Sequence, residues 1–206
     1  MKIVRVETLV SKGRYASSKG WRGTRAALHH AIRRVSWPPG SGQFTIYPER
    51  GKKRGQGSGV KPIKNELMAE LERKGWKLEE PLDLATVRQP GKLDAVLYTA
   101  YGPVAVDWET GNISSSHRAL NKMALGLLKG SLAGRLAGGV LIVPSRELYR
   151  YLTDRVGNID ELEPYLDLWR CIPCAEGVLE VVVVEQDAES TNVPKIPKGT
   201  DGRALN

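Results

Sequence analysis

The stretch KLDAVLYTAYGPVAVDWETGN, residues 92–112, decides the fold of this chain. It contains two short apolar runs, 93–98 and 103–106, separated by a turn at Tyr101-Gly102-Pro103. Short apolar runs on either side of a glycine-containing turn predict a β-hairpin with largely buried strands. We expect the rest of the chain to pack around this hairpin.

Three carboxylates lie in the predicted hairpin: Asp94 near the start of the first run, and Asp107 and Glu109 at the end of the second. Because side chains alternate along a strand, Asp107 and Glu109 project to one face and Trp108 to the other. The turn returns Asp94 towards them. The sequence therefore predicts three neighbouring acids with no basic partner among them.

Clustered carboxylates of this kind should be exposed or bound to a cation, since they repel one another. Mg²⁺ is usually held by one or two carboxylates together with water and substrate phosphate. The pattern therefore favours the site of a metal-dependent nuclease. The alternative is that these are ordinary solvated acids at strand ends.

The length and composition favour a single globular domain. The chain has 206 residues and 41% hydrophobic residues, which is enough for a substantial core. No apolar run approaches the length of a membrane span, and the first ten residues, MKIVRVETLV, do not resemble a secretory signal. We therefore expect a cytoplasmic location.

The positive charge is concentrated in the first third of the chain. Residues 1–64 carry fifteen lysines and arginines against two acids, whereas residues 65–206 carry sixteen against twenty-one. A basic segment on an otherwise acidic chain indicates a polyanionic partner, most often nucleic acid. Simple solubility is the alternative.

The two cysteines, Cys171 and Cys174, form a C-x-x-C motif late in the chain. A redox motif belongs at the start of a helix after an early strand, and a zinc site needs further ligands. The histidines of the chain are His29, His30 and His117. We therefore interpret the cysteines as structural thiols.

The N-terminal third is predicted to alternate between regular elements and basic loops. Residues 2–10 are predicted as a strand, 11–23 as a loop, 24–37 as a helix capped by Thr24, and 43–47 as a short strand. The basic, glycine-rich residues 48–62 are predicted as a loop that either becomes ordered on DNA phosphates or stays a flexible surface loop.

Two helices are predicted to flank the hairpin. Residues 62–75 carry Glu66 and Glu70 at the edge of an apolar face, from which either could reach the acidic hairpin. Residues 114–129 carry a basic stripe that includes Arg118 and Lys122 and is well placed for phosphates. Solvated surface charges are the alternative in both helices.

The last third is predicted to complete the sheet. Residues 139–143 (GVLIV) are predicted as a buried strand parallel to a neighbour, 145–156 and 158–168 as helices, and 178–184 as the last strand. Residues 187–206 are predicted as a mobile polar tail. The domain division is a single domain over residues 1–186, with basic DNA-contacting segments in 11–62, followed by that tail. The fold class is α/β, with a mixed central β-sheet flanked by helices.

The order and spacing of several motifs resemble the BamHI/BglII group of type II restriction endonucleases, within the PD-(D/E)xK nuclease superfamily. The acid-x-Glu motif Asp107-Trp108-Glu109 follows Asp94 in the layout of that nuclease core. The other similar segments, spread over residues 60–185, are NELMAELERKGW, SSSHRALNKM, VLIVPS and DRVGNIDELEPYLDLW. The usual superfamily lysine is replaced by Glu109, which is compatible with activity in this group.

The resemblance implies a PD-(D/E)xK restriction-endonuclease-like fold and a homodimer that cuts both strands of a short palindromic site. It implies that Asp94 and Asp107 hold Mg²⁺, with Mn²⁺ able to substitute. Glu109 would then orient or deprotonate the attacking water, and Glu66 would assist through water with Glu70 as its competitor. The partner is double-stranded DNA. The candidate phosphate contacts are Arg22, Arg25, Lys52, Lys53, Arg54, Lys61, Arg118 and Lys122.

Two rival interpretations stay open on the sequence. One is a non-catalytic DNA-binding module in which the carboxylate cluster is structural. The other is a PD-(D/E)xK nuclease that is not used for restriction.

Overall fold

A mixed sheet forms the centre of the protein. The computed structural model describes residues 1–51, 56–81, 92–109, 113–129, 135–153 and 157–198. Within these ranges, the central sheet has the strand order β1-β7-β6-β5-β4-β3, and β2 pairs with β8 in a separate two-stranded sheet. The strands are β1 Lys2–Lys12, β2 Thr45–Ile46, β3 Lys77–Pro81, β4 Lys92–Thr99, β5 Gly102–Trp108, β6 Gly138–Pro144, β7 Gly177–Glu185 and β8 Ala188–Glu189.

Helices cover both faces of the sheet, as predicted for a mixed sheet flanked by helices. The helices are α1 Gly13–Ser17, α2 Lys19–Arg34, α3 Lys61–Arg73, α4 Ile113–Lys129, α5 Arg146–Tyr149, α6 Ile159–Leu162 and α7 Leu166–Arg170, with a 3-10 turn at Glu163–Tyr165. The core on one face draws on α2 and α3, and the core on the other face draws on α4, α6 and α7.

The central strand β6 is buried along its whole length, which confirms the prediction for residues 139–143. It pairs in parallel with both β5 and β7. Its side chains alternate between the two cores: Val140 and Ile142 enter the core with α2 and α3, whereas Leu141 and Val143 enter the core with α4. A strand covered on both faces needs an unbroken apolar run, and GVLIV supplies one.

Gly139 sets the distance between α4 and the sheet. A β-carbon at this position would lie 2.8 Å from the sulfur of Met123 on α4, which is closer than real side chains approach. Glycine therefore lets α4 lie directly on β6, and this contact holds the helix beside the end of β5.

The prediction of a loop over residues 11–23 is wrong. Residues 13–17 and 19–34 are helical, and the hydroxyl of Ser18 accepts a hydrogen bond from the Trp21 N–H at 3.0 Å, which caps α2. The aromatic rings of Tyr15 and Trp21 are buried and lie 5.8 Å apart. Burial of these rings stabilises helices in a segment whose glycines and lysines favour a loop.

The two helices predicted over residues 145–156 and 158–168 are shorter and more broken than expected. The first ends at Tyr149. The second is divided into α6, the 3-10 turn and α7, and its start is capped by the Asn158 side chain, which accepts from the Asp160 N–H at 3.0 Å. Pro164 lies in the 3-10 turn, where its missing N–H cannot continue an α-helical ladder.

The prediction of a mobile tail is wrong for residues 187–198. Strand β8 pairs in parallel with β2, and the side chain of Ile196 is buried. The indole N–H of Trp37 donates to the Pro194 carbonyl at 2.7 Å. A single apolar side chain and backbone pairing hold this segment, although its composition is polar. Residues 199–206 lie outside the described part of the chain.

None of the helices in the described ranges could serve as a transmembrane span.

Candidate active site

The hairpin predicted from residues 92–112 brings Asp94 and Asp107 together. Strands β4 and β5 are antiparallel, with Ala95 opposite Val106, so Asp94 and Asp107 face each other one position further on. The backbone N–H of Asp94 donates to Oδ1 of Asp107 at 3.1 Å, and the N–H of Trp108 donates to Oδ2 of Asp94 at 2.8 Å. Each carboxylate is thus held by the backbone of the neighbouring strand.

A close backbone contact fixes the turn of this hairpin. Gly102 has a φ of +121°, and a β-carbon there would lie 2.7 Å from the carbonyl oxygen of Arg135. Glycine meets both requirements. The turn therefore keeps β5 close to the chain that enters β6.

The expectation that the acids lack basic partners is wrong. The ammonium group of Lys64 on α3 lies 2.5 Å from Oδ1 of Asp94, and that of Lys122 on α4 lies 3.3 Å from Oδ2 of Asp107. Lys122 also donates to the Lys92 carbonyl at 2.8 Å. Helix packing, which the local sequence pattern does not show, brings one lysine to each carboxylate.

Burial, and after it the neighbouring charge of Asp94, raises the pKa of Asp107 to about 6, although Lys122 and the Asp94 N–H oppose this rise. The side chain of Asp107 is only 11% exposed. A carboxyl group with a pKa so close to neutrality is common in sites that bind cations or move protons.

Glu109 lies just beyond the end of β5 and is half-buried. Its backbone N–H donates to the Ile142 carbonyl at 3.0 Å, which extends the contact with β6. Across the described ranges, no group of three or more His, Cys, Asp or Glu residues is arranged to hold a metal ion. The structure therefore brings Asp94 and Asp107 together as a pair and does not gather Glu109 into a three-ligand cluster.

Glu66 and Glu70 make other contacts. The two carboxylate oxygens of Glu66 accept from the backbone N–H and the hydroxyl of Ser36, at 3.1 Å and 3.0 Å. Glu70 is buried and forms ion pairs with Arg73 and Lys74 on its own helix. Both residues therefore hold α3 in place rather than joining the Asp94–Asp107 pair.

An acid on the neighbouring strand β3, Glu79, was not predicted from the sequence, and its side chain is 60% exposed and pairs with Lys92 at 3.8 Å. In the pairing of β3 with β4, Leu78 lies opposite Ala95 and Glu80 opposite Leu93, so Glu79 falls across from Asp94. Glu79 has a φ of +54°, a value that residues other than glycine rarely adopt. Strained backbone of this kind clusters at functional sites. The pairing of β3 depends on a long-range register, which explains why composition and periodicity did not reveal it.

The donor chemistry of the pair fits a divalent cation such as Mg²⁺. Asp94 and Asp107 offer carboxylate oxygens, which are the hard ligands that Mg²⁺ prefers. Two such groups leave room for water and a substrate phosphate. Cation binding there would compete with Lys64 and Lys122.

The predicted phosphate-binding residues are spread over several elements. Arg22 is exposed on α2 and donates to the Ser17 carbonyl at 3.0 Å. Arg25 pairs with the buried Glu180 at 3.0 Å.

The remaining candidates differ in how near they lie to the acids. Lys61 is exposed at the start of α3, and Arg118 is exposed on α4, where it donates to the Ser115 hydroxyl at 3.0 Å. Lys122 contacts the acidic pair directly, with its ammonium group 3.3 Å from Oδ2 of Asp107. The candidates Lys52, Lys53 and Arg54 lie outside the described residues.

The two cysteines are free thiols in the structure. Cys171 is exposed and Cys174 is buried, and the thiol of Cys174 donates to the Glu176 carbonyl at 2.7 Å. This arrangement agrees with structural thiols.

Comparison with known proteins finds type II restriction endonucleases along the whole chain. The family model described as restriction endonuclease BamHI matches residues 1–203. The type II restriction enzyme OkrAI of Oceanobacter kriegii is 48% identical over 205 residues, covering 100% of both chains. The type II restriction enzyme BamHI of Bacillus amyloliquefaciens is 37% identical over 174 residues, covering 81% of this chain and 75% of that protein.

A solved structure shares the fold at low sequence identity. The crystal structure of restriction endonuclease BglII, complexed with a DNA 16-mer, superposes with a TM-score of 0.65 at 10% identity, covering 91% of this chain and 79% of the other. This likeness confirms the restriction-endonuclease-like fold. With a family model that spans nearly the whole sequence and a full-length relative at 48% identity, the chain belongs to the BamHI family of type II restriction endonucleases.

Proposed function

We propose that this protein is a sequence-specific double-stranded DNA endonuclease that hydrolyses phosphodiester bonds with Mg²⁺ at a short palindromic site, acting as a homodimer. The observation that carries the proposal is the pair formed by the buried Asp107 and the partly buried Asp94, held across β4 and β5 by two backbone hydrogen bonds. Membership of a type II restriction endonuclease family supports the reaction class. Use of the protein for restriction also supports the expected cytoplasmic location, which stays a prediction.

In the proposed mechanism, Asp94 and Asp107 hold Mg²⁺, for which Mn²⁺ is expected to substitute. When bound, the cation supplies Lewis-acid chemistry that activates water and offsets charge on the scissile phosphate. Glu109 orients the attacking water or accepts its proton, since it follows Asp107 by two residues at the end of β5. Water adds to phosphorus as one phosphorus–oxygen ester bond breaks, and the leaving oxygen takes a proton from solvent.

A fourth carboxylate can assist the water, and two candidates compete for this role. Glu66 is the candidate from the sequence, but both of its oxygens accept hydrogen bonds from Ser36. We propose that Glu79 supplies this carboxylate instead, because the register of β3 places it across from Asp94.

DNA binding is assigned to basic residues around the acidic pair and on the N-terminal helices. Lysine and arginine side chains supply the salt-dependent part of DNA affinity by neutralising phosphates. Arg22 lies on the exposed side of helix α2 rather than in a loop, so it acts from a preformed surface. The full proposed set is Arg22, Arg25, Lys52, Lys53, Arg54, Lys61, Arg118 and Lys122.

Supercoiled plasmid DNA tests the proposed reaction directly. We expect wild-type protein with Mg²⁺ to convert the plasmid to full-length linear DNA without a lasting nicked form, because a dimer cuts both strands. DNA that shifts in a gel but stays supercoiled would show a non-catalytic binding module. A smear of random lengths would show a nuclease of the same core that lacks sequence specificity.

The pKa of Asp107 predicts how cleavage depends on pH. Below about pH 6 this carboxyl is protonated and neutral, so it binds a cation poorly. We therefore expect the single-turnover rate, measured at subsaturating Mg²⁺, to fall as the pH drops through about 6. Saturating Mg²⁺ should move the inflection to lower pH, since the cation competes with the proton.

The variant Lys122→Met is the control for this profile, because Lys122 lowers the pKa of Asp107. Its inflection should lie at higher pH than that of the wild type. A wild-type rate that stays constant down to pH 5 would contradict the role given to Asp107.

We propose that the homodimer forms through the surface shared by α4 and α7. The exposed apolar side chains there are Leu125 on α4, Leu168 on α7 and Tyr165 on the 3-10 turn just before α7, and Leu168 is 67% exposed. The two elements are joined by the Trp169 indole N–H, which donates to the Asn121 side chain at 3.0 Å. Neighbouring exposed apolar side chains often mark a surface through which two copies of a chain associate about a two-fold axis.

Replacing Leu168 with serine is expected to weaken this dimer. The loss of apolar contact on both sides of a two-fold interface should raise the dissociation constant at least tenfold. Sedimentation velocity over a range of micromolar concentrations measures the change. The control is Tyr98→Ser, which removes an exposed aromatic ring from β4; an equal effect of both substitutions would contradict the assignment of the surface.

A further inference from the structure

The lysines beside the acidic pair contact the carboxylate oxygens that the backbone leaves free. Oδ2 of Asp94 and Oδ1 of Asp107 accept backbone N–H groups across the hairpin. The other two oxygens, Oδ1 of Asp94 and Oδ2 of Asp107, face Lys64 and Lys122. The oxygens most open to a cation are therefore the two that the lysines now contact.

Each lysine can leave without disturbing the core. The side chains of Lys64 and Lys122 are 26% and 24% exposed, whereas those of Asp94 and Asp107 are 12% and 11% exposed. A lysine side chain has a flexible stem, so its ammonium group can move outward while the two acids stay fixed. The two lysines come from different helices, α3 and α4, on either side of the hairpin.

We propose that Lys64 and Lys122 are internal counter-ions of the metal site. A divalent cation displaces their ammonium groups from the two acids, and the displaced ammonium groups then bind DNA phosphates. The proposal rests on the proposed function of the Asp94–Asp107 pair. A buried acid and a partly buried one, side by side without compensating charge, destabilise the fold, and the lysines supply that compensation when no cation is bound.

This arrangement couples metal binding to DNA binding. Without DNA, a cation must repel two ammonium groups from the oxygens it needs, so its affinity is low. DNA phosphates stabilise the displaced lysines and so raise the affinity for the cation. By linkage, the cation raises the affinity for DNA by the same factor.

Mn²⁺ binding to the DNA-free protein, followed by the electron paramagnetic resonance signal of free Mn²⁺, tests the proposal without any cleavage. We expect Lys64→Met and Lys122→Met each to bind Mn²⁺ about tenfold more tightly than the wild type, because methionine keeps the apolar stem and removes the charge. Lys129→Met, on α4 at its exposed end, is the matched control and should bind as the wild type does. Variants that bind Mn²⁺ no more tightly than the wild type would overturn the proposal.

A second measurement tests the coupling. A short DNA duplex that contains the cleavage site should tighten Ca²⁺ binding to the wild type. It should have a much smaller effect on the double variant Lys64→Met/Lys122→Met. An equal effect on both proteins would contradict the transfer of the lysines to phosphate. Thermal unfolding checks that the variants fold, and Ca²⁺ should raise their midpoints more than that of the wild type.

The variant Asp107→Asn separates this proposal from the proposed function. If Asp107→Asn abolishes Mn²⁺ binding while the lysine variants behave as the wild type, the metal site stands and the counter-ion role fails. If Asp107→Asn binds Mn²⁺ as the wild type does, the metal site itself is wrong.

Discussion

The variant Asp107→Asn is expected to lose at least about a thousandfold in single-turnover cleavage, because a cation held by carboxylates contributes several kcal/mol to the reaction and each factor of ten corresponds to about 1.4 kcal/mol. Asparagine keeps the size of the side chain and can still accept the hydrogen bond that Asp107 receives from the Asp94 N–H. It removes the negative charge. The expected loss is therefore one of chemistry and not of folding.

The control for this variant is Asp160→Asn. Asp160 is a more exposed acid that pairs with Arg146 at 3.2 Å, on α6. Its replacement should leave the rate within about twofold of the wild type, as expected for a surface ion pair. If Asp107→Asn also stays within twofold, the hairpin acids do not form the catalytic centre.

The second large effect is expected at Glu79, with Glu66 as the contrasting position. Glu79→Gln should lower the single-turnover rate about a hundredfold, a typical contribution of a residue that assists proton transfer. Glu79 lies across from Asp94 and its backbone is held at a φ of +54°. Because the substitution keeps the shape of the side chain, the loss should appear in the rate constant with little change in DNA affinity.

Glu66→Gln should leave the rate within about threefold of the wild type. Its expected effect is on stability, because glutamine weakens the charge-assisted hydrogen bonds that both carboxylate oxygens accept from Ser36, at a cost of about 1–2 kcal/mol. Thermal and urea unfolding measure this cost. A large rate loss in Glu66→Gln with a normal rate in Glu79→Gln would reverse the assignment and support the prediction made from the sequence.

The parts of the fold that local pattern determines were predicted correctly. The hairpin of residues 92–108 and the central strand at 139–143 follow from short apolar runs bounded by glycine-containing turns. The meeting of Asp94 and Asp107 follows from the same pattern, because a tight turn brings the start of one strand to the end of the next. These features need no knowledge of distant parts of the chain.

The parts that depend on long-range packing were missed. Lys64 and Lys122 reach the acids because α3 and α4 pack on opposite faces of the sheet, and no spacing in the sequence links either lysine to the hairpin. Glu79 is placed across from Asp94 by the register of β3 alone. The burial of Ile196 depends on a contact between the end of the chain and its N-terminal third, where Trp37 binds Pro194.

The helices at residues 13–34 show that local composition can mislead a prediction of secondary structure. The segment SKGRYASSKGWRG is rich in glycine and lysine, which favours a loop. The buried rings of Tyr15 and Trp21 outweigh that preference. Tertiary burial of two aromatic side chains is a larger effect than the helix propensity of a few residues.

Digestion of phage DNA with Mg²⁺, with wild-type protein and Asp94→Ala side by side, tests the central claim most directly. We expect discrete fragments from the wild type, with ends that map to one short palindromic sequence, and intact DNA from Asp94→Ala. Intact DNA from both proteins, with DNA binding retained, would contradict it, because the Asp94–Asp107 pair would then belong to a fold that binds DNA without cutting it.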